Sequence, residues 1–378
     1  MGALDGIRVV DLTRILAGPF CTVLLADMGA EVVKIEPAGG DPVRGQGFMV
    51  DGFSAYFAQF NRNKKSVVLD LYTDDGKAAL ARLLESADVV VENYRPGVFA
   101  KMGFDAARLE AINPRLVVAS VNGYGSTGPY VDRPSFDFIA QAMSGFMAVN
   151  GDPDGPPRRA APPISDLVAG LYCAYGVVCA LEARHRTGRG QRVETSLLGG
   201  LVSMLAYLSA EALASGRNPQ RTGNDHPIVA PYGLFEAADG QIAVAPSTDT
   251  YVERFLGVIG LGALLEEPAF RDNASRLANR RELNARINEA TRTRPVAHWI
   301  EAINAAGCPC GRVMELDEVF RDPQVLAQEL VIESVREGRA PIRMTGFPVK
   351  LSATPCELRL PPPLLGEHDK ELLHRDRS

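Results

Sequence analysis

The chain of 378 residues has one Trp, five His and only 7% aromatic residues. Its His residues are scattered, and none forms the i, i+4 pair that would place two imidazoles on one helix face. Of the six Cys, only Cys308 and Cys310 are close in sequence, with one residue between them and no second pair nearby. No metal site is expected from such a set. An excess of positive charge is also missing: 40 Lys and Arg stand against 46 Asp and Glu, for a net charge of -6. That balance gives no electrostatic footprint for nucleic acid or for an anionic membrane surface. No apolar run of membrane-spanning length is evident, and Met1–Gly6 lacks a basic then apolar leader. Gly6 stands where a myristoylation signal needs Ser or Thr. A cytoplasmic location is expected.

What is present is an ordinary globular composition, 46% hydrophobic and 23% charged, long enough for two or three domain-sized units. Short apolar strands are expected at 7–12, 31–35, 66–71, 88–92 and 116–121, with helices between them, such as 18–29 and the stretch carrying Leu80, Leu83 and Leu84. This alternation calls for an α/β fold whose mostly parallel sheet is covered on both faces, a Rossmann-like large domain. A helical block comes next, with helices expected over 136–147, from near Leu167 to about Arg186, and over 196–215. A polar, turn-rich linker at 216–225 then leads to Asp239-Gly240, a hairpin turn between two apolar runs. The expected division is a large domain over 1–224, completed by 326–378, and a smaller α+β domain over 225–325. No internal repeat or low-complexity segment occurs.

Two features invite a functional reading. Gly123-Tyr124-Gly125-Ser126-Thr127-Gly128 matches the letters of the dinucleotide-binding fingerprint. That fingerprint needs the first strand of the sheet and a helix opening at once, whereas here Pro129 and Pro134 break up the adjoining stretch. A glycine loop over a site is expected instead. The second feature is Asp166, in Ala160-Ala161-Pro162-Pro163-Ile164-Ser165-Asp166-Leu167, where a Pro-restrained segment turns into a long apolar helix. The helix dipole and the unpaired N–H groups of the first turn favour its ionised form. Such a carboxylate either caps the helix or acts as a nucleophile.

Ordered matches across nearly the whole chain decide between these. They include Leu4-Asp5-Gly6-Ile7-Arg8-Val9-Val10-Asp11-Leu12, Ala17-Gly18-Pro19, Gly29-Ala30-Glu31-Val32-Val33-Lys34-Ile35-Glu36 and Asn61-Arg62-Asn63-Lys64-Lys65-Ser66. Val91-Glu92-Asn93-Tyr94-Arg95-Pro96-Gly97, Lys101-Met102-Gly103, Arg186-Thr187-Gly188-Arg189-Gly190-Gln191, Gly307-Cys308-Pro309-Cys310-Gly311 and Leu365-Gly366-Glu367-His368 continue the series. In these segments the chain resembles the class III CoA-transferases, of the formyl-CoA and carnitine CoA-transferase type, with acyl-CoA racemases as cousins.

By this resemblance Asp166 is the catalytic aspartate, and the protein is an interlocked homodimer in which each chain is a ring threaded through its partner. Coenzyme A or an acyl-CoA is a substrate, together with a small carboxylic acid; no permanently bound cofactor is implied. The CoA-lining positions would be Leu16 and Ala17, then Leu69, Asp70, Leu71 and Tyr72, then Asn93, Tyr94 and Arg95, then Lys101 and Met102. Ala38 replaces an Arg of the formyl-CoA enzyme, which leaves Arg44 or Lys64 as substitutes at the adenosine end. The formyl-CoA enzyme's glycine-rich insertion is absent, which speaks against oxalate as acceptor. The segment Pro134-Ser135-Phe136-Asp137 also falls at the substrate. Racemases place a proton-carrying His where this chain has Phe136, so transfer is expected and α-proton exchange is not. The remaining alternatives are a racemase on the same fold and a CoA-binding protein without turnover.

Overall fold

A computed structural model describes residues 1–373; the last five residues of the expected 326–378 segment lie outside the described residues. Two compact units emerge, one of Met1–Phe146, Arg159–Ser209 and Asp322 onward, the other of Met147–Arg158 and Ala210–Arg321. Residues 147–158 and 210–224 thus belong with the smaller unit, not the larger one as expected. The reason is visible in Arg221. Its guanidinium donates to the carbonyls of Ala148 (3.2 Å), Asp152 (3.1 Å) and Gly155 (2.6 Å), fastening that loop to the segment after residue 210.

The larger unit is built on six parallel strands. Across the sheet they run Lys64–Val68, Glu31–Glu36, Arg8–Asp11, Val89–Glu92, Val117–Asn122 and Arg192–Ser196. All but Arg192–Ser196 are largely buried on both faces, and side chains alternate between the two. Val9, Val32, Val89 and Val117 face the helices Ala17–Asp27 and Ile164–Thr187, through Cys21, Leu25, Cys173, Val177 and Leu181. Val10, Val33, Val67, Val90 and Val118 face the other way, onto Leu80, Leu83 and Leu84 of the helix Asp74–Glu85, and onto Phe99, Phe104 and Leu109.

The helix Ile164–Thr187 is long and apolar enough to cross a membrane by length and composition alone, a property not evident from the bare sequence. Half of its apolar window is buried within the protein, and it packs against Ala17–Asp27 at backbone distance. A Cβ on Gly170 would lie 2.4 Å from the Ala17 carbonyl oxygen, so only Gly fits that crossing.

In chain order the sheet reads third, second, first, fourth, fifth, sixth strand. The first and fourth strands are neighbours, and the connections leave them in opposite directions. A crevice therefore opens at their C-terminal ends, the usual ligand position in such sheets. Beside it lies a buried charge cluster in which Lys64 Nζ donates to Asp11 (3.0 Å), Thr22 (2.8 Å) and Asn61 (3.0 Å). Lys34 Nζ meets Asp41 at 2.9 Å and the Thr13 carbonyl at 2.7 Å. Burial pushes the Lys64 ammonium down to about 8, with Asp11 opposing that shift.

The smaller unit holds the expected hairpin. Strands Gly233–Ala237 and Gly240–Val244 pair antiparallel around Ala238-Asp239, and Cys310–Arg312 adds a third strand. Phe235, Ile242, Phe255, Leu283, Ile287, Trp299 and Ile303 form its core. The expected 196–215 helix is two, Leu197–Ser203 and Ala206–Ser215, broken where Ala206 takes φ 49°. The expected 136–147 helix likewise ends at Met143, and a short turn of helix at Phe146–Val149 comes after it.

Removing one partner of a buried ion pair leaves the other charge uncompensated. Lys64→Met is expected to cost about 3–5 kcal/mol in urea unfolding, with part of the loss recovered when Asp11→Asn is added.

Candidate active site

The helix bearing Asp166 starts earlier than its apolar pattern suggests. It runs from Ile164, so Asp166 is its third residue and not a cap, and Pro163 before it contributes no capping side chain. Ser165, fully buried, fixes the first turn: its N–H and its hydroxyl both donate to Asp137 Oδ1 at 2.9 Å. The other Asp137 oxygen accepts from Gln141 at 2.8 Å, and Gln141 Oε1 in turn accepts the Ala160 N–H at 2.8 Å. The turn before Asp166 is thereby tied at both ends to the helix Asp137–Met143.

Asp166 lines a cavity of about 230 Å³ at the crevice between the first and fourth strands. Leu16, Ala17, Asn93, Tyr94, Arg95 and Phe136 share its wall. A second cavity of about 250 Å³ is lined by Leu69, Asp70, Leu71, Tyr72, Met102 and again Tyr94. Arg14 and Tyr94 line both, so the two adjoin. The structure thus gathers most of the residues named from the sequence: Asp166, Leu16, Ala17, Asn93, Tyr94, Arg95 and Phe136 in the first cavity, and Leu69 to Tyr72 with Met102 in the second. Lys101, beside Met102, is exposed and lines neither.

Four expectations need correction. Arg44 lines neither cavity: it grips both oxygens of Glu36 (2.7 and 2.6 Å), donates to the Pro363 carbonyl and stacks 3.7 Å over Phe57. Lys64 is fully buried in the Asp11 cluster and cannot reach a ligand. Asp137 is buried, with both oxygens occupied, so it positions Ser165 instead of touching substrate. Finally, Asp166 is not held firmly ionised. Burial first, and the Asp137 charge second, push its carboxyl from 3.8 up to about 7.

Three neighbours were missed. Arg14 sits where the cavities meet. Tyr56 has its phenol raised to about 12, by burial first and by the charge of Asp166 second. Ile15, on the cavity wall, has φ 70°, a strained value for a β-branched residue. Its N–H donates to the Asp41 carboxylate (3.2 and 3.3 Å), itself fixed by Lys34. No local pattern signals any of the three, because each depends on a distant partner. The glycine loop after Val117–Asn122 does reach the site, through Gly123 and Tyr124. Ser135 packs so close that a Cβ on Gly123 would lie 2.5 Å from its own Cβ. No helix opens there, in line with the rejected dinucleotide fingerprint.

Residues 4–369 match CoA-transferase family III. The chain belongs to that family. It is 40% identical over 353 residues to an acetyl-CoA:oxalate CoA-transferase of Acetobacter aceti, covering 93% of this chain and 90% of the relative. It is 38% identical to a succinate–glutarate CoA-transferase of Agrobacterium fabrum, over 98% of this chain and 94% of that one. A crystal structure of a CAIB/BAIF family protein from Brucella suis superposes with a TM-score of 0.87 at 36% identity, covering 98% of both chains.

A family III chain with its aspartate buried beside a second carboxylate bears a stability cost. Because the Asp166 carboxyl is raised in the folded state, that state holds the extra proton between pH 3.8 and about 7. Stability therefore falls as pH rises through that window and stays reduced above it. Asp166→Asn removes the charge, so its Tm is expected to exceed the wild-type value at pH 8. The difference is expected to close near pH 4, which thermal unfolding at the two pH values checks.

Proposed function

We propose that this chain is an acyl-CoA:carboxylate CoA-transferase with Asp166 as its nucleophile. The observation that carries this reading is the placement of Asp166 in one cavity with the Leu16-Ala17 and Asn93–Arg95 segments, next to a second cavity bearing Leu69–Tyr72. CoA lies along both cavities in this reading, its thioester at Asp166 and its nucleotide at Leu69–Tyr72. Arg14, at the junction, takes a phosphate.

The chemistry rests on what a poorly solvated carboxylate does to a thioester. Asp166 attacks the acyl carbonyl and expels CoA thiolate, leaving a mixed anhydride. The thiolate attacks the aspartyl carbonyl, releasing the donor acid and forming aspartyl-CoA. The acceptor carboxylate then attacks aspartyl-CoA, and the thiolate freed in that step takes the new acyl group. Asp166 returns unchanged. A carboxyl near 7 is a stronger base than an ordinary one, yet about half ionised at neutral pH. The Ala17 amide, at the uncapped start of the helix Ala17–Asp27 and on the cavity wall, is the donor this reading gives to developing oxyanions. The Gly123–Tyr124 loop shields the anhydride from water.

Phe136 on the same wall carries no proton, which speaks against the racemase reading. The relative named for oxalate resembles this chain over nearly its full length, so the missing glycine-rich insertion does not by itself set oxalate aside. An interlocked homodimer and a cytoplasmic location belong to the same proposal. The dimer is supported by an exposed apolar face: Leu171, Tyr172, Tyr175 and Val178 recur at helical spacing, with Phe138, Ile139 and Met143 also exposed.

Asp166→Asn is expected to abolish transfer while CoA binding persists, and hydroxylamine during turnover is expected to leave a hydroxamate on wild-type Asp166, read by peptide mass spectrometry. Near-normal transfer by Asp166→Asn would sink the mechanism. Threaded rings separate only by partial unfolding, so loss of dimer on dilution in denaturant is expected to coincide with loss of helical circular dichroism; a folded monomer would refute the interlocking.

A further inference from the structure

The loop that leaves the first strand toward Asp166 is anchored at almost every backbone group. The Thr13 N–H donates to Asp11 at 2.9 Å, and the Thr13 carbonyl accepts from the Lys34 ammonium at 2.7 Å. The Arg14 N–H donates to Asn93 Oδ1 at 3.0 Å, and Asn93 Nδ2 donates back to the Arg14 carbonyl at 2.8 Å. The Ile15 N–H reaches the Asp41 carboxylate at 3.2 and 3.3 Å. Among the described residues, only the Ile15 carbonyl of this stretch lacks a partner, and every partner is a side chain. A surface loop ordinarily bonds such groups to water.

The Asn93 pair is the informative one. Asn93 stands just past the fourth strand and lines the Asp166 cavity, in the segment assigned to CoA. Yet its amide oxygen and one amide N–H are both used on a single residue across the crevice, as two strand residues pair their backbones. The clamp joins two loops that share the wall of one cavity. Next to it Ile15 has φ 70°, a value that a β-branched residue holds only under constraint. Released, Ile15 would relax to negative φ and turn the chain after it. That chain is Leu16 and Ala17, which line the cavity and whose N–H groups donate to nothing among the described residues. We infer that Asn93 is a positioning residue for the transfer: with Asp41 it clamps Thr13–Ile15, so that the Leu16–Ala17 wall stands ready at the acyl carbonyl. Its amide serves the loop and not CoA. A wall in place before charge develops needs no reorganisation, and that acts on kcat more than on binding.

This inference rests on the CoA-transferase reading, and the test separates the two. Acetyl-, butyryl-, succinyl- and glutaryl-CoA are each paired with their own ¹³C-labelled free acid, and mass spectrometry follows acid exchange in the full-length protein. The fastest wild-type pair is kept for every variant. Titration calorimetry with CoA gives Kd and, from the stoichiometry, the concentration of folded sites, so kcat is expressed per site. Asn93→Ala is expected to hold Kd within about threefold and to lower kcat about tenfold or more, the scale of two backbone hydrogen bonds. Asn93→Asp, which keeps the acceptor and loses the donor, is expected to show the same split. Glycine takes φ 70° without strain, so the clamp matters less beside it. In an Ile15→Gly background, Asn93→Ala is therefore expected to lower kcat only about threefold or less. Amide hydrogen exchange at Arg14 and Ile15 is expected to quicken in Asn93→Ala. A weaker Kd at unchanged kcat, an equal fractional loss in the two backgrounds, or unaltered protection of those amides would overturn the inference and leave the transferase intact. No acid exchange by the wild type with any of the four pairs would overturn both.

Discussion

The hydrogen bonds from Ser165 to Asp137 are the constraint on which the site turns. One buried carboxylate accepts both the N–H and the hydroxyl of the residue just before Asp166. This holds the start of the long helix in place, and with it the direction of the Asp166 side chain. The same carboxylate also supplies the charge that, after burial, does most to raise Asp166 toward 7. Asp137 therefore fixes the orientation of Asp166 and adds to the effect of burial on its carboxyl. That residue lies well before Asp166 in the chain, and it reaches Ser165 only because the helix Asp137–Met143 packs beside the long helix.

Around that constraint the sheet supplies the space. Because the first and fourth strands are neighbours, the loops after them, Leu12–Ala17 and Asn93–Pro96, face each other across the crevice. Gly170 lets the long helix touch the backbone of Ala17–Asp27, bringing the Asp166 turn against the first of these loops. The Lys34–Asp41 pair then fixes the loop itself by holding the Ile15 N–H in a strained conformation. A buried ion pair is a weak source of stability. Here it serves a different end, keeping a cavity wall in a shape that the backbone would otherwise avoid.

The buried, half-neutral Asp166 also illustrates a conflict between folding and chemistry. A solvated or salt-bridged carboxylate would be better for stability and worse as a nucleophile. Among the described residues Asp166 has no ion pair, while the structural carboxylates nearby have one or more donors: Lys64, Thr13 and Thr22 for Asp11, Lys34 for Asp41, and Arg44 and Ser66 for Glu36. The contrast between satisfied and unsatisfied carboxylates within one region sets Asp166 apart more sharply than burial alone, and it supports the nucleophile proposed above.

Local pattern was enough for much of this. The strands are short runs of Val, Ile and Leu, whose period and flanking helices admit only a covered parallel sheet, and Asp239-Gly240 demands its hairpin. The ordered motifs, through the resemblance they carry, also pointed to Asp166 and the Leu16–Ala17, Leu69–Tyr72 and Asn93–Arg95 segments, and the fold brings these to two adjoining cavities. The charge state of Asp166 was not legible, since it depends on the burial of its carboxyl and on Asp137. Nor was the fate of Arg44 and Lys64, which read as free cations until Glu36 and Asp11 close on them. The role of Arg221 in drawing residues 147–158 into the smaller unit was equally hidden. In each case the deciding partner is remote in sequence. A side chain's type is written in the chain, but whether it meets water, a ligand or a counter-charge is settled only when the fold brings that partner within about 3 Å.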